Sequence, residues 1–269
     1  MQIVIAVLVA AFVLGAGSWR VFRHESDIKP AIVTPAMNVH NEFSNDFSAR
    51  AYRVLHGRIA ENRSGRPKLI ALTFDDGPYP VFTPLLLDEL HDLHVPATFF
   101  LIGRDAEQWP ELTRRIEESG NEIADHTYSH PNLDQESSAE VKEEVLKGRD
   151  VLWNLAQDQS ERELMRPPHG RYTEATLRAI QELGYQVVLW TYDSGDWRTL
   201  PTQTIASDVV QHATAPDLVL MHSGKLATIE ALPEVVERFR QAGYEFVTAG
   251  ELLRRTSSQD INHPLRRSV

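Results

Sequence analysis

Residues 69–78 read LIALTFDDGP, an apolar run that stops at two adjacent acids followed by a Gly-Pro pair. A short apolar run closed by a turn signal is typical of a buried strand. Similar runs recur at 97–102, 185–190, 218–221 and 244–247. Stretches with helical periodicity separate them, at 81–93, 110–119, 139–156, 174–183, 203–213 and 229–242. Strands that alternate with helices predict a parallel sheet, and this many units without a glycine-rich dinucleotide fingerprint favour a barrel-like α/β fold.

The composition limits the kinds of protein that the chain can be. It has 269 residues, of which 42% are hydrophobic and 24% charged, and this ordinary globular composition predicts one large domain. The formal net charge of -11 argues against a nucleic-acid-binding protein, because neutralising phosphates requires a concentrated Lys and Arg surface. Cysteine is absent, so any metal site has to be built from His, Asp and Glu.

The adjacent acids Asp75 and Asp76 stand where the first predicted strand ends. Neighbouring side chains in a strand point to opposite sides of the backbone, so one acid can bind a metal while the other lies beside it. The alternative interpretation is an Asp-Gly-Pro turn with acids that cap the following helix.

Two histidines follow the short run at 122–124, in the sequence DHTYSHP at 125–131. Residues four apart share one face of a helical turn, so His126 and His130 are predicted to converge on one ion, with Pro131 ending the turn. One Asp and two His leave coordination positions open, which is the pattern of a catalytic rather than a structural metal site. Chance surface histidines at this spacing are the alternative.

Three further stretches carry polar residues just after apolar runs. In RPPHG at 166–170, Arg166 can bind a carboxylate through its guanidinium fork, although a plain proline-rich turn has the same sequence. In DSGDW at 193–197, Trp197 is a candidate wall for a sugar ring, and a core tryptophan is the alternative. His222 follows the run at 218–221, where a lone histidine would usually be structural.

Taken together and in this order, the motifs resemble the polysaccharide deacetylase family, also called the NodB homology domain or carbohydrate esterase family 4. The resemblance runs from about Lys68 to Leu253 and includes ATFFLIG at 97–103 and IEALP at 229–233. It implies a distorted (β/α) barrel. It also implies a metal-dependent hydrolase that removes N-acetyl groups from an amino-sugar polysaccharide such as chitin oligomers or peptidoglycan.

The resemblance assigns a role to each motif residue. It makes Asp75 the general base, and it makes Arg166 the residue that orients Asp75. The ligands of one divalent ion, expected to be zinc, are Asp76, His126 and His130. The general acid is His222, with Asp193 as its partner. Groove and pocket residues are Trp197, Leu220 and His169, the last through its backbone N–H to the oxyanion.

Two residues depart from the family pattern. His169 stands where the family usually has an aromatic residue, which leaves the groove floor and the substrate preference open. Asp125 stands where the family often has Asn, and it adds negative charge beside the predicted metal site.

Other activities use the same residues. An O-acetyl esterase acting on acetylxylan would need the same groups, so the sequence leaves amide and ester substrates open. A metal-free relative acting on a cyclic amide is disfavoured because all three metal ligands are present. A carbohydrate-binding relative without activity has no need of Asp75 and His222, and their presence argues against it.

The domain organisation predicted from the sequence has four parts. Residues 1–23 contain an uncharged apolar run at 3–19, interpreted as a membrane anchor or, alternatively, a signal peptide with a weak site at 15–17. Residues 24–66 form a linker with a short helix near 47–55, residues 67–255 the catalytic domain, and residues 256–269 a polar tail. If the substrate is a polymer of the cell envelope, the catalytic domain is expected to lie outside the cytoplasm. Arg20 and Arg23 conflict with that orientation, because positive charges favour the cytoplasmic side.

Overall fold

The computed structural model describes residues 68–156, 164–213, 215 and 217–261, with side chains described as far as residue 256. Eight parallel strands form one sheet: β1 (Lys68–Asp75), β2 (Thr98–Leu101), β3 (Glu122–Asp125), β4 (Leu164–Met165), β5 (Gln186–Val187), β6 (Tyr192–Asp193), β7 (Asp217–His222) and β8 (Tyr244–Phe246). The strand order is β5-β4-β3-β2-β1-β7-β6, and β8 pairs with the first residues of β1.

Helices connect the strands. They are α1 (Phe82–Asp92), α2 (Gly103–Gln108), α3 (Pro110–Glu118), α4 (Ser138–Leu155), α5 (Glu174–Gln181), α6 (Thr202–His212), α7 (Leu226–Gln241) and α8 (Ala249–Ile261). Short 3-10 turns lie at Leu133–Gln135, Pro168–Gly170 and Asp196–Arg198. The start of α4 is fixed by Ser137, whose hydroxyl accepts the N–H of Glu140 while the Glu140 carboxylate accepts the N–H of Ser137.

The central strand β1 is buried on both faces, as expected for a parallel strand covered by helices. Ile70, Leu72 and Phe74 pack with residues of the surrounding helices in the largest apolar cluster. Leu69 and Ala71 lie on the other face, in a second apolar cluster. Because side chains alternate along a strand, Thr73 and Asp75 continue this second face.

The strand register brings distant motifs to one edge of the sheet. Asp75 is paired with Phe100 on one side and with His222 on the other. On the next strands, Leu101 is paired with Asp125, and Asp125 with Met165, so Arg166 follows directly. The carboxyl ends of β1, β3, β4 and β7 therefore meet at one place, as in other barrel-like α/β folds.

The sequence predicted part of this architecture. Strands β2 and β8 fall within the predicted runs, β1 and β7 extend one residue beyond each end of theirs, and the run at 185–190 contains the shorter β5. The two-residue strands β4 and β6 and the short helix α2 are too brief to show a period of their own. Helix α8 continues to Ile261, past the boundary at 256 where the polar tail was predicted to begin, because Leu252 and Leu253 anchor it in the core.

The predicted anchor, the linker with its short helix and the end of the predicted tail lie outside the described residues. Within the part of the chain that the structure does describe, we find no helix with the length and apolar character needed to cross a membrane.

Candidate active site

Asp76, His126 and His130 form a cluster suited to a metal ion. One ligand atom of each lies within 4.8 Å of the other two. The Oδ1 atom of Asp76 is 3.4 Å from Nε2 of His130 and 3.9 Å from Nε2 of His126. Nitrogen and carboxylate oxygen donors of this kind suit zinc and related divalent ions, so the residues fit the ion that the sequence predicted.

The buried ring of His126 is held in the form that a metal ligand needs. Its Nδ1 lies 2.7 Å from the carbonyl oxygen of Arg166. A carbonyl can only accept a hydrogen bond, so Nδ1 carries the proton and Nε2 keeps its lone pair. Burial lowers the pKa of His126 to about 3, which keeps the ring neutral. Burial also lowers the pKa of His130.

The two histidines converge by a different backbone path from the predicted one. Residues 126–130 form a loop after β3 rather than a helical turn. Thr127 and His130 have φ values of 69° and 64°, in the left-handed region, and Asp76 has a φ of 71°. Such conformations are unfavourable for residues other than glycine and occur mainly at functional sites. The prediction of a helical turn was wrong, although both rings reach the same cluster.

Asp75 is bound by the fully buried guanidinium of Arg166. Nη1 of Arg166 donates to Oδ1 of Asp75 at 2.5 Å and to the Thr73 hydroxyl at 3.0 Å. The other guanidinium nitrogens donate to the carbonyls of Val188 and Leu189, so a single nitrogen holds the acid instead of the predicted two-pronged fork. Burial raises the pKa of Asp75, although Arg166 acts in the opposite direction. The second oxygen of Asp75 lies 3.7 Å from Nε2 of His126, beside the ligand cluster.

His222 is paired with Asp196, and the predicted pairing with Asp193 was wrong. Nδ1 of His222 donates to Oδ1 of Asp196 at 2.7 Å. Oδ2 of the buried Asp196 accepts the backbone N–H of His222 at 2.8 Å and the Thr228 hydroxyl at 2.6 Å. Burial would lower the pKa of His222, but the hydrogen bond and charge of Asp196 outweigh it, so the pKa is raised.

Asp193 has a local structural task. Its Oδ1 accepts the N–H of Gly195 at 2.8 Å, and its Oδ2 accepts Nε1–H of Trp197 at 3.4 Å. An Asp two residues before a glycine is a common turn pattern in which the carboxylate binds its own backbone. That pattern is present in the sequence, and it is the signal that could have identified Asp196 as the acid left free for His222.

The predicted groove residues surround the same edge of the sheet. Trp197 is 51% exposed, with the guanidinium of Arg198 at 4.8 Å from its ring. Leu220 is buried on β7. His169 is exposed in the turn Pro168–Gly170 with a φ of 57°, and its ring meets that of His130 edge-on, with centroids 4.6 Å apart.

Asp125 lies behind the loop of residues 126–130 and not in the groove. Its side chain is buried, and its Oδ1 accepts the N–H of Thr127 at 2.7 Å. Burial raises the pKa of Asp125 to about 7, against the opposing effect of this hydrogen bond. The negative charge that the sequence placed beside the metal site is therefore only partly present near neutral pH.

Known proteins resemble this chain in sequence and in fold. The model of the polysaccharide deacetylase family matches residues 62–188. The peptidoglycan-N-acetylglucosamine deacetylase of Bacillus cereus is 36% identical over 192 residues, which are 70% of this chain and 89% of that protein. The chitooligosaccharide deacetylase of a Bradyrhizobium species is 34% identical over 209 residues, which are 72% of this chain and 93% of that protein.

The solved structure of the peptidoglycan deacetylase PdaC from Bacillus subtilis matches the fold with a TM-score of 0.67 and 31% identity, covering 75% of this chain and 97% of that one. The chain belongs to the polysaccharide deacetylase family, carbohydrate esterase family 4, whose catalytic domain is the NodB homology domain. The predicted fold, a distorted (β/α) barrel of this type, is confirmed.

Proposed function

We propose that this protein is a metal-dependent hydrolase that removes N-acetyl groups from an amino-sugar polysaccharide of the cell envelope, either peptidoglycan or a related N-acetylglucosamine polymer. The observation that carries the proposal is the arrangement of Asp75 and His222 beside the cluster of Asp76, His126 and His130. A base and an acid next to a metal-ligand set are the groups that amide hydrolysis requires. Relatives named as deacetylases of peptidoglycan and chitooligosaccharides support the substrate class.

Asp76, His126 and His130 are the proposed ligands of one divalent ion, and zinc is the ion that we propose for these donors. When bound, the ion would act as a Lewis acid on the amide carbonyl and make water more acidic. The neutral, oriented imidazole of His126 is already in the form that binds a metal, so this ring loses no proton when the ion binds.

Asp75 is the proposed general base. Its pKa is raised by burial, so it accepts a proton from the attacking water more readily than an exposed carboxylate does. Arg166 is a positioning residue, because its bond to Oδ1 leaves Oδ2 turned toward the ligand cluster.

His222 is the proposed general acid. Asp196 takes the proton-bearing Nδ1, which leaves Nε2 to deliver a proton to the departing amine. An amine without this proton is a very poor leaving group, so the acid matters more for an amide than for an ester. Asp196 acts as the positioning residue for His222.

The remaining groups define the place of the substrate. We propose that Trp197 packs against a sugar ring and that Leu220 contacts the acetyl methyl group. The backbone N–H of His169 is proposed to donate to the oxyanion, a contact that does not depend on the side chain.

Acetate release is the experiment that tests the function. The full chain should release acetate from peptidoglycan and from chitin oligomers when a divalent ion is present, and release should stop when the ion is removed by a chelator. Faster release from acetylxylan than from both amide substrates would make the protein an O-acetyl esterase. Full activity after removal of all divalent metal would overturn the proposal.

We further propose that residues 1–23 anchor the protein in a membrane and that the catalytic domain faces away from the cytoplasm, where an envelope polymer lies. The protein should fractionate with membranes, and a reporter fused after Val269 should be active outside the cytoplasm. A fusion active only in the cytoplasm would show that Arg20 and Arg23 determine the orientation.

A further inference from the structure

The loop that carries the two histidines is held mainly by hydrogen bonds to residues outside it. We define the ligand loop as residues 126–130. Its first N–H, that of His126, donates to the carbonyl of Leu101 at 3.0 Å. The N–H of Thr127 donates to the Asp125 carboxylate at 2.7 Å, and that of His130 to the Thr127 hydroxyl at 3.1 Å. The N–H groups of the other two residues, Tyr128 and Ser129, are bound by another element.

That element is helix α4, through Glu144. Oε2 of Glu144 accepts the N–H of Ser129 at 2.8 Å, and Oε1 accepts the Ser129 hydroxyl at 2.9 Å. The backbone carbonyl of Glu144 accepts the N–H of Tyr128 at 3.2 Å. One residue of α4 therefore binds both residues at the middle of the loop, and both oxygens of its carboxylate are used.

Two glycines allow the helices to approach the loop this closely. A Cβ on Gly148 would lie 2.8 Å from Oδ1 of Asp125 and 3.0 Å from the carbonyl carbon of Thr127. A Cβ on Gly103 would lie 2.9 Å from the Cα of Gly148. The N–H of Gly103, at the start of α2, donates to the Thr127 carbonyl at 2.9 Å. Gly148 is one helical turn after Glu144 on the same face of α4, so the close contact brings the carboxylate to Ser129.

The loop needs these contacts because its own backbone is unfavourable. Thr127 and His130 are left-handed, and such residues persist only where their surroundings fix them. Without the bonds to Ser129, the segment between the two histidines could relax and move His130 away from Asp76. Metal affinity depends on ligands that are already in place, and loss of a hydrogen bond to a ligand itself typically weakens it by about 10–100-fold.

We propose that Glu144 is a positioning residue for the metal site, which fixes the spacing of His126 and His130 through its two bonds to Ser129. The proposal rests on the metal-dependent function proposed above. The test measures zinc affinity, however, and does not depend on catalytic activity.

The zinc dissociation constant of the full chain should be measured by competition with a chromophoric chelator. Glu144→Ala removes both side-chain acceptors and should raise the dissociation constant by about 10-fold, the lower end of that range, because Glu144 acts on the ligands through Ser129. Glu144→Gln keeps one acceptor oxygen and should have a smaller effect, as should Ser129→Ala, which removes only the hydroxyl bond. The matched control is Glu143→Gln, at the exposed neighbouring position on α4, which should bind zinc like the wild type.

A double-mutant cycle separates positioning from general destabilisation. Ser129→Ala should weaken zinc binding in the wild type but not in Glu144→Ala, since the bond it removes is already lost. The melting temperature of the metal-free proteins gives the structural contribution. If Glu144→Ala fails to fold, Glu144→Gln and Ser129→Ala still decide the matter.

Unchanged zinc affinity in Glu144→Ala, or in both milder variants when Glu144→Ala does not fold, would overturn the proposal. Additive effects in the cycle would also overturn it. Zinc binding with the expected dependence on Glu144 but without acetate release would instead overturn the proposed function and leave this inference standing. A wild-type protein that binds no divalent ion would overturn both.

Discussion

Two pairs, each of an acidic and a basic side chain, flank the metal-ligand cluster. They differ in which member is the more deeply buried. In the first, both members are buried and the arginine is the deeper of the two: the side chain of Arg166 is 0% exposed and that of Asp75 is 7% exposed. In the second, the acid is the buried partner: the side chain of Asp196 is 0% exposed and that of His222 is 18% exposed. In each pair the more deeply buried member holds the other toward the site. In both pairs the proposed positioning residue is therefore the more deeply buried member, and the proposed catalytic residue is the more exposed one.

The partners also act differently on the pKa values. Burial raises the pKa of Asp75, and Arg166 opposes the shift. Burial opposes the charging of His222, and Asp196 overcomes it and raises the pKa. Removing Arg166 should therefore raise the pKa of Asp75 further, whereas removing Asp196 should lower the pKa of His222.

The largest loss of turnover is expected when the proposed catalytic residue of a pair is replaced. His222→Ala should reduce turnover by about 10²–10⁴-fold, the usual contribution of a positioned acid or base, while zinc remains bound. An N-acetyl substrate should be affected more than an activated acetate ester, whose leaving group needs no proton. Acetate release and zinc content measure this, with His91→Ala, an exposed histidine on α1, as the control. Equal losses on both substrates would contradict the role of an acid.

Removing the buried arginine should affect folding as well as activity. Arg166→Met leaves Asp75 buried without its partner, which should lower the free energy of unfolding by about 3–5 kcal/mol. Chemical denaturation measures this. In the control, Arg171→Met, an ion pair with Asp134 at the surface is lost, and the change should stay below about 1 kcal/mol. Similar losses in the two variants would mean that burial does not distinguish the first pair.

The pair of His222 and Asp196 can be disrupted by replacing Asp196, and Asp193, three residues away, offers a matched control. His222 must be protonated to act as an acid, so the rate falls as the pH rises through its pKa. Asp196→Asn removes the charge that raises this pKa, and the basic limb of the pH-rate profile should move to lower pH. Asp193→Asn should leave the limb in place, because Asp193 binds Gly195 and Trp197. The reverse result would restore the pairing with Asp193.

The smallest effect is expected outside both pairs. Trp197→Ala should raise KM by about 3–10-fold with little change in kcat, since stacking on an exposed ring contributes about 0.5–1.5 kcal/mol. Steady-state kinetics on chitin oligomers measure it. Trp153→Ala is the control, because this partly exposed tryptophan lies near the end of α4. A fall in kcat with an unchanged KM would place Trp197 in the catalytic step.

Some residues of this site could be predicted from the sequence, and others could not. Asp75 and His222 could be predicted because each is the last residue of an apolar strand, where side-chain direction follows from the backbone. Asp76 comes after β1 with a φ of 71°, so strand alternation does not give the direction of its side chain. Asp196 was missed because two acids lie three residues apart, and only the turn that Asp193 makes with Gly195 distinguishes them.

Features built by tertiary packing were less visible. The spacing of His126 and His130 matches a helical turn, but left-handed residues carry the loop instead. Glu144 lies fifteen residues from Ser129 on another element, and no local motif links the two. Contacts of this kind depend on how α4 packs against the loop, which no periodicity in the chain encodes.

The central claim is that Asp75 and Asp76, adjacent in the chain, have separate roles, and it is tested most directly by measuring zinc content and acetate release together. Asp76→Asn should lose zinc and activity together, because a neutral amide is a far poorer ligand than a carboxylate. Asp75→Asn should keep zinc but lose about 10²–10⁴-fold in rate. If Asp75→Asn instead loses zinc while Asp76→Asn keeps it, the roles are exchanged. If Asp75→Asn keeps both zinc and the normal rate, the hydrolytic mechanism is wrong.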